Sequence, residues 1–337
     1  VQLCWAGFFA TLLMFNAYRR VLRHKQGEIM RILRRVLIGL VIFIVASVVI
    51  AFGYDRFASP RVVADYPAPG EMIDVNGLDT HTLCSGTGNT TIVLFHGFAG
   101  GAIDMLPLMD ALENDVRVCA FDRPGADYSG SLPDDWTVDD AIAWNSAVIA
   151  EITNEGDSVY IAGHSLGGAY ALAYVAQYDV DGVILLDGLT PDVADDVVRR
   201  MGTYGSLSIF AEVGLLRPVA GMFVSSEYNS DLRGQMTALR SRSQTIVGFA
   251  DEGVMVADGL TTERLNTVVA NLDVPMLLLI ADTTDVPEGE AFTSSLLALD
   301  NTYPQSYSVM IEDAGHYLIA SHADTLADNI ITWIDAN

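Results

Sequence analysis

Gly163-His164-Ser165-Leu166-Gly167-Gly168 follows the apolar run Ser158-Val159-Tyr160-Ile161-Ala162 and precedes the helix-like Ala169-Tyr170-Ala171-Leu172-Ala173-Tyr174. A strand that turns this sharply into a helix strains the backbone at the turn residue, and glycines two before and two after it remove Cβ atoms that would collide. The segment reads as a nucleophile elbow. Ser165 then stands at a helix N-terminus, where backbone N–H groups stabilise a developing oxyanion.

Three residues in the motif do not make a catalyst, so the argument passes to their partners. A serine hydroxyl needs an imidazole to take its proton during attack and return it to the leaving group, and a carboxylate to fix the imidazole's tautomer. Asp313-Ala314-Gly315-His316 follows the strand-like Ser306-Tyr307-Ser308-Val309-Met310-Ile311, which nominates His316 as the base. His24 lies in a basic N-terminal stretch, His81 in an early strand and His322 just past His316. These read as structural or surface residues, and His96 and His164 as parts of the loops around the site.

The orienting acid has three candidates. Val274-Pro275-Met276-Leu277-Leu278-Leu279-Ile280 is a buried-strand pattern running into Ala281-Asp282-Thr283-Thr284-Asp285-Val286-Pro287. Asp285 is preferred there to Asp282, and the chain order Ser165, Asp285, His316 suits this triad. Asp187, which ends the preceding strand Gly182-Val183-Ile184-Leu185-Leu186, ranks behind both. Thr91-Ile92-Val93-Leu94-Phe95 leads into His96-Gly97-Phe98-Ala99-Gly100-Gly101, a turn that aims a backbone N–H at the substrate oxygen. Phe98 and Leu166 are the expected oxyanion donors.

With these residues in order, the chain resembles the α/β-hydrolase superfamily over about residues 71 to 337. Asn76-Gly77, His81 to Gly86 and Arg117 to Gly125 with Ser129-Gly130 match in sequence. The departures are Ala126 and Asp127, near a place where relatives often carry a small residue and a glycine, and Asp282 in place of a glycine. The resemblance implies an α/β fold: a mostly parallel eight-stranded sheet flanked by helices, with a helical cap inserted after strand 6. It also implies hydrolysis through an acyl-enzyme, with no metal or organic cofactor. A serine nucleophile sets the chain apart from the epoxide hydrolase and haloalkane dehalogenase branches, which carry a carboxylate there. Esterases, lipases, carbon–carbon bond hydrolases, aminopeptidases and some non-catalytic receptors share the skeleton.

Helix-like segments at about 102–113, 137–154, 166–178, 289–300 and 318–335 alternate with buried strands, as a parallel sheet covered on both faces requires. The alternation stops from about 190 to 270. That stretch is the expected cap, and its apolar residues, Tyr204, Leu207, Ile209, Phe210 and Met222 among them, are available for cap core or pocket lining.

Ahead of this domain, Val36 to Gly53 run eighteen residues without a charge, long enough to span a bilayer, and Tyr54 follows. Val1 to Phe15 are also apolar, so residues 1–53 read as an anchor of one or two spans, and 54–70, with Pro60, Pro67 and Pro69, as a linker. Arg19 to Arg35 between the apolar stretches stay cytoplasmic by the positive-inside rule, which sends the chain after Gly53 to the outer side.

Residues 1–60 carry eight Lys or Arg against two acids, whereas 61–337 carry ten against forty-one. So acidic a domain repels nucleic acid, which excludes that class of partner, and its composition suits high salt, where self-repulsion is screened. Cys84 and Cys119 fall on strands that the resemblance makes neighbours. A disulfide between them and two buried thiols are both open. The expected activity is cleavage of small to medium carboxylic esters by a membrane-anchored, outward-facing serine hydrolase. A peptidase, a carbon–carbon hydrolase and a ligand receptor are the alternatives.

Overall fold

A computed structural model describes residues 2–282 and 289–337. They fall into two units, one ending at Gly53 and one running from Tyr54 to Asn337. The first is occupied by the helix Gln2–Asp65, which crosses the boundary and runs unbroken through the basic segment between the two apolar stretches. Along the uncharged stretch the large side chains are exposed, Phe43 and Ile50 among them, and the Ser47 hydroxyl donates back to Phe43 O at 2.9 Å.

The expected linker 54–70 is not a flexible tether. The helix continues to Asp65, and Asp55, Ser59 and Val62, spaced at i, i+4 and i+7, turn one face onto the domain. Asp55 is buried and Val62 packs against the domain core. Propagating a helix costs far less than starting one, so an apolar helix extends into a neighbouring segment that has a surface to pack on. Beyond Asp65, the Tyr128 hydroxyl donates to Tyr66 O at 3.0 Å and fixes the chain before the first strand.

The domain is built on strands β1 (Glu71–Val75), β2 (Leu78–Ser85), β3 (Thr90–Phe95), β4 (Arg117–Phe121), β5 (Ser158–His164), β6 (Gly182–Leu186), β7 (Met276–Ala281) and β8 (Ser306–Ile311). Their order is β1-β2-β4-β3-β5-β6-β7-β8. β1 and β2 form a hairpin through Asn76-Gly77, both with positive φ as that tight turn demands. β2 is antiparallel to β4, and from β4 onward every pair is parallel. Cys84 on β2 and Cys119 on β4 are register partners and form a disulfide.

Period-two alternation sends side chains into two cores. Val93, Phe95, Ile161, Leu185 and Leu278 face one set of helices, including Val138–Ile152 and Leu166–Val175. Ile92, Leu94, Ala162, Leu186 and Leu279 face the other, including Leu106–Leu112 and Ala323–Ile334. Thr137 caps Val138–Ile152, accepting from the Asp140 amide while the Asp140 carboxylate accepts from Thr137 N.

Between β6 and β7 lie the helices Pro191–Gly202, Ser208–Glu212, Ser230–Arg240, Ser243–Gly259 and Thr262–Asn271, with short 3-10 segments at Thr203–Leu207 and Arg217–Phe223. This is the cap. A buried ion pair seats it on the sheet: Arg123, just after β4, donates from Nε to Glu252 Oε1 at 2.6 Å, and the Tyr170 hydroxyl donates to the same oxygen at 3.2 Å. The parallel strands all deliver their carboxyl ends to the edge beneath this cap, where ligands of open α/β sheets bind.

Candidate active site

Four of the five non-glycine residues with positive φ among those described belong to loops at that edge: Ala99 after β3, Ser165 after β5, Asp187 after β6 and Asp313 after β8. Strain of this kind persists where surrounding structure enforces it. Ser165 has φ 53° and ψ −123° and immediately precedes the helix Leu166–Val175. The flanking glycines are sterically required. A Cβ on Gly163 would lie 2.2 Å from Gly167 O, and one on Gly167 would lie 2.2 Å from Phe95 O. Ser165 O accepts from Gly168 N at 2.9 Å and from Leu189 N at 2.7 Å, which pins the elbow from both sides.

His316 lies on the loop after β8, and its Nδ1 donates to Asp187 Oδ2 at 2.6 Å. Asp187 Oδ1 accepts from Ala281 N at 3.3 Å, at the end of β7, so both carboxylate oxygens are engaged. With Nδ1 donating, the neutral imidazole has Nε2 as its basic atom. Among the described residues, Asp187 is the carboxylate on the imidazole. Asp285, the expected acid, lies outside the described residues, and Asp282 is exposed. Asp187 follows β6, which lies between β5 and β7 in the sheet, and it has a positive φ of 44°.

Ser165 and His316 line one small cavity, together with Gly97, Phe98, Ala99, Gly100, His164 and Tyr317. The cavity is small, and Ser165 and His316 are each only 8% exposed. Gly97 brings the backbone against Ser165, since a Cβ there would stand 3.3 Å from Ser165 Cβ. Phe98, one of the two expected oxyanion donors, thus lies beside Ser165, with its ring stacked on Tyr204 of the cap at 5.7 Å. Leu166, the other, is the first residue of its helix, where the amide has no partner within the helix.

The remaining histidines have other work. His164 Nε2 donates to His316 O at 2.8 Å, holding the loop that carries the base. Burial, and then the neighbouring His316, push the His164 pKa down to about 3, so it stays neutral. His96 is also held neutral, by burial first and then by the Arg123 guanidinium. Its Nδ1 donates to Gly97 O at 2.8 Å and its Nε2 accepts from Arg123 N. His81 is wholly buried; burial opposes its charge, but the Asp122 carboxylate 2.9 Å away outweighs that and raises its pKa. His322 meets Ser321 Oγ at 2.9 Å on the protein's edge.

Two cap residues reach the cavity that were not singled out for it: Tyr228 and Arg240. Arg240 is buried and paired with Asp104, which also accepts from Gly101 N at 2.6 Å. Burial, and then Asp104, push the Tyr228 hydroxyl well above the usual phenol range. Of the apolar cap residues, Ile209, Phe210 and Met222 serve neither as cap core nor as lining of this cavity, since they are exposed. A signal for Arg240 was present in the helix Ser230–Arg240, where a charge follows the buried stripe Leu232, Met236, Leu239.

Residues 92–329 match the alpha/beta hydrolase family model. Among characterised proteins, the chain is 31% identical over 107 residues to a proline iminopeptidase of Saccharolobus solfataricus, covering 30% of this chain and 34% of that one. It is 25% identical over 269 residues to the 1-acylglycerol-3-phosphate O-acyltransferase ABHD5 of Rattus norvegicus, covering 70% of this chain and 74% of that one. The chain spans between a third and a half of the length of the first three curated relatives it matches. Among solved structures, the Cif epoxide hydrolase of Acinetobacter nosocomialis has a TM-score of 0.67 at 17% identity, covering 84% of this chain and 96% of that one. A thermophilic esterase of Thermogutta terrifontis has a TM-score of 0.59 at 20% identity, covering 79% and 96%. The sheet order, the cap after β6 and the match over most of the sequence together show that the chain belongs to the alpha/beta hydrolase family.

Proposed function

We propose that this hydrolase cleaves small to medium carboxylic esters through an acyl-enzyme formed on Ser165. The observation that carries the reading is the 2.6 Å bond from His316 Nδ1 to Asp187, beside a serine held at a strained turn. Ser165 Oγ attacks the ester carbonyl as His316 Nε2 takes its proton, and Asp187 stabilises the imidazolium. The amides of Phe98 and Leu166 receive the oxyanion. The imidazolium protonates the departing alcohol, and water activated by the same nitrogen then releases the acid and restores Ser165.

Serine at the elbow supports acyl transfer over the epoxide chemistry of the Cif relative, whose branch carries a carboxylate nucleophile. A peptidase is the second reading, favoured by the proline iminopeptidase match. Anchoring through Val36 to Gly53 is part of the proposal, with the domain on the outer side. The basic residues before that stretch and the Cys84–Cys119 disulfide, a bond of oxidising compartments, support it.

The test is fluorophosphonate labelling of the full-length protein with peptide mapping, followed by ester, amide and vinylogous diketone substrates. Labelling at Ser165 that is lost in Ser165→Ala, with esters preferred, supports the reading. Preference for amides or diketones moves the enzyme to those classes, and a folded protein that neither labels nor turns over is a receptor.

A further inference from the structure

Asp55 stands two residues after Gly53, where the uncharged stretch ends. At 1.5 Å per helical residue that is about 3 Å along the axis. The groups that Asp55 touches are therefore held near the point where the chain leaves the apolar span, by connectivity alone. Those groups belong to the cap. Arg217 donates from Nη1 to Asp55 Oδ1 at 2.9 Å and to Ser59 Oγ at 3.2 Å, and Ser243 N donates to Asp55 Oδ1 at 3.3 Å. The Arg217 guanidinium also lies over the Tyr54 ring, 5.6 Å from its centroid. An exposed tyrosine there suits the headgroup level of a bilayer.

Arg217 opens the 3-10 segment Arg217–Phe223, whose Met222 is 82% exposed and Val219 44%. The preceding helix Ser208–Glu212 exposes Ile209 and Phe210, 63% and 48%, and Leu215 N donates to Phe210 O at 3.0 Å, tying the two turns together. Charge follows the same division. Residues 61–337 hold ten arginines against forty-one acids, yet residues 199–242 hold six of those ten against three acids. Arg240 and Arg242 are buried, while Arg199, Arg200 and Arg233 are exposed. This one segment of the domain escapes the acid excess that repels anionic headgroups.

From these observations we infer that the cap face carrying Ile209, Phe210, Val219 and Met222 rests in the lipid interface and that the enzyme draws its ester from the bilayer. The inference rests on the anchored-hydrolase reading and deepens it by naming a lipid-borne substrate. The face is linked to the site: Tyr204, four residues before Ser208, stacks on Phe98, which lines the Ser165 cavity. Ser165 and His316 are almost wholly buried, so an ester reaches them by displacing cap residues, and lipid contact on the outer side of those turns gives them an apolar surface to move into.

The experiment uses the full-length protein in phosphatidylcholine vesicles, in a Cys4→Ser background. An environment-sensitive fluorophore is placed at Met222→Cys, or at the exposed β8 position Tyr307→Cys as control. The expected result is quenching of the Met222 label by spin-labelled acyl chains and protection from aqueous iodide, with the reverse at Tyr307. The double variant Ile209→Asp/Met222→Asp is expected to lose about tenfold or more in kcat/KM on a vesicle-dissolved ester. It keeps wild-type activity on a water-soluble one.

A Met222 label quenched only by iodide, in protein that floats with the vesicles, overturns the lipid-facing cap and leaves the anchor standing. Protein that does not float overturns the anchor, and the inference with it. Lipid quenching without hydrolysis of either ester overturns the hydrolase reading and the lipid-borne ester, and leaves only the docked face.

Discussion

His316 donates to the Asp187 carboxylate at 2.6 Å although 129 residues separate them and the entire cap is inserted in between. The bond crosses from the end of β6 to the loop after β8. No cap residue takes part in the bond that ties His316 to the sheet edge.

Replacing Asp187 by Asn removes the charge that orients and stabilises His316. It is expected to lower kcat on a soluble ester by about 10³–10⁴. Asp282→Asn, at an exposed position, and Asp285→Asn are expected to stay within about threefold of wild type, since the imidazole already holds its carboxylate in Asp187. Initial rates of the three purified variants check this. A collapse at Asp285 with activity retained at Asp187 would reverse the assignment.

The elbow glycines make a steric prediction. A methyl at Gly163 or Gly167 meets backbone at 2.2 Å, and backbone cannot step aside as a side-chain tip can. Each Ala variant is expected to lose about 3 kcal/mol or more of stability. Gly77→Ala, with positive φ but open space, loses about 1 kcal/mol. Urea unfolding of the three proteins gives the comparison.

Asp127 supplies a pH dependence. It is buried, its carboxylate has no hydrogen-bond partner among the described residues, and Arg240 Nη2 stands 3.9 Å away. Burial, with Asp122 and Asp104 adding to it against the pull of Arg240, raises its pKa to about 7. Between about pH 4 and 7 the folded protein therefore holds a proton that the unfolded chain has released, and stability falls as pH rises. Asp127→Asn is expected to match wild type near pH 4, diverge from it through pH 7, and be more stable at pH 8 by on the order of 2 kcal/mol. Thermal melts across this range check it; parallel curves would assign the proton elsewhere.

The Cys84–Cys119 bond closes a 35-residue loop. Its loss, in Cys84→Ser/Cys119→Ser, is expected to cost about 2–5 kcal/mol. Alkylation of denatured, unreduced protein is expected to modify Cys4 alone. Modification of all three thiols would mean that the bond does not form.

Much of this site was legible because its signals are local. Ser165 carries its own steric context, and His316 follows a recognisable strand. The acid was harder to place: strands ending at Leu186 and Ala281 both deliver an aspartate to the same edge, and which one meets the imidazole depends on tertiary placement that no local pattern encodes. Asp127 stood out as a departure, but its isolation among Asp104, Asp122 and Arg240 depends on the cap's docking. Tyr228 and Arg240 reach the cavity through the same tertiary packing, which no helical period encodes. The segment 54–65 hid its helix behind Pro60, a residue that signals a break only where no surface holds the helix together.

The burial of Ser165 beneath the cap has a kinetic consequence. Ser165 and His316 are each only 8% exposed, so an ester that reaches them displaces cap residues, and each catalytic cycle then includes an excursion of the cap. Turnover on the best substrates then has a ceiling common to all of them. Viscosity and the rigidity of the cap set that ceiling, and leaving-group pKa does not. An acyl group that keeps the cap propped open exposes its ester bond to Ser165 to bulk water: it trades slow release for fast deacylation.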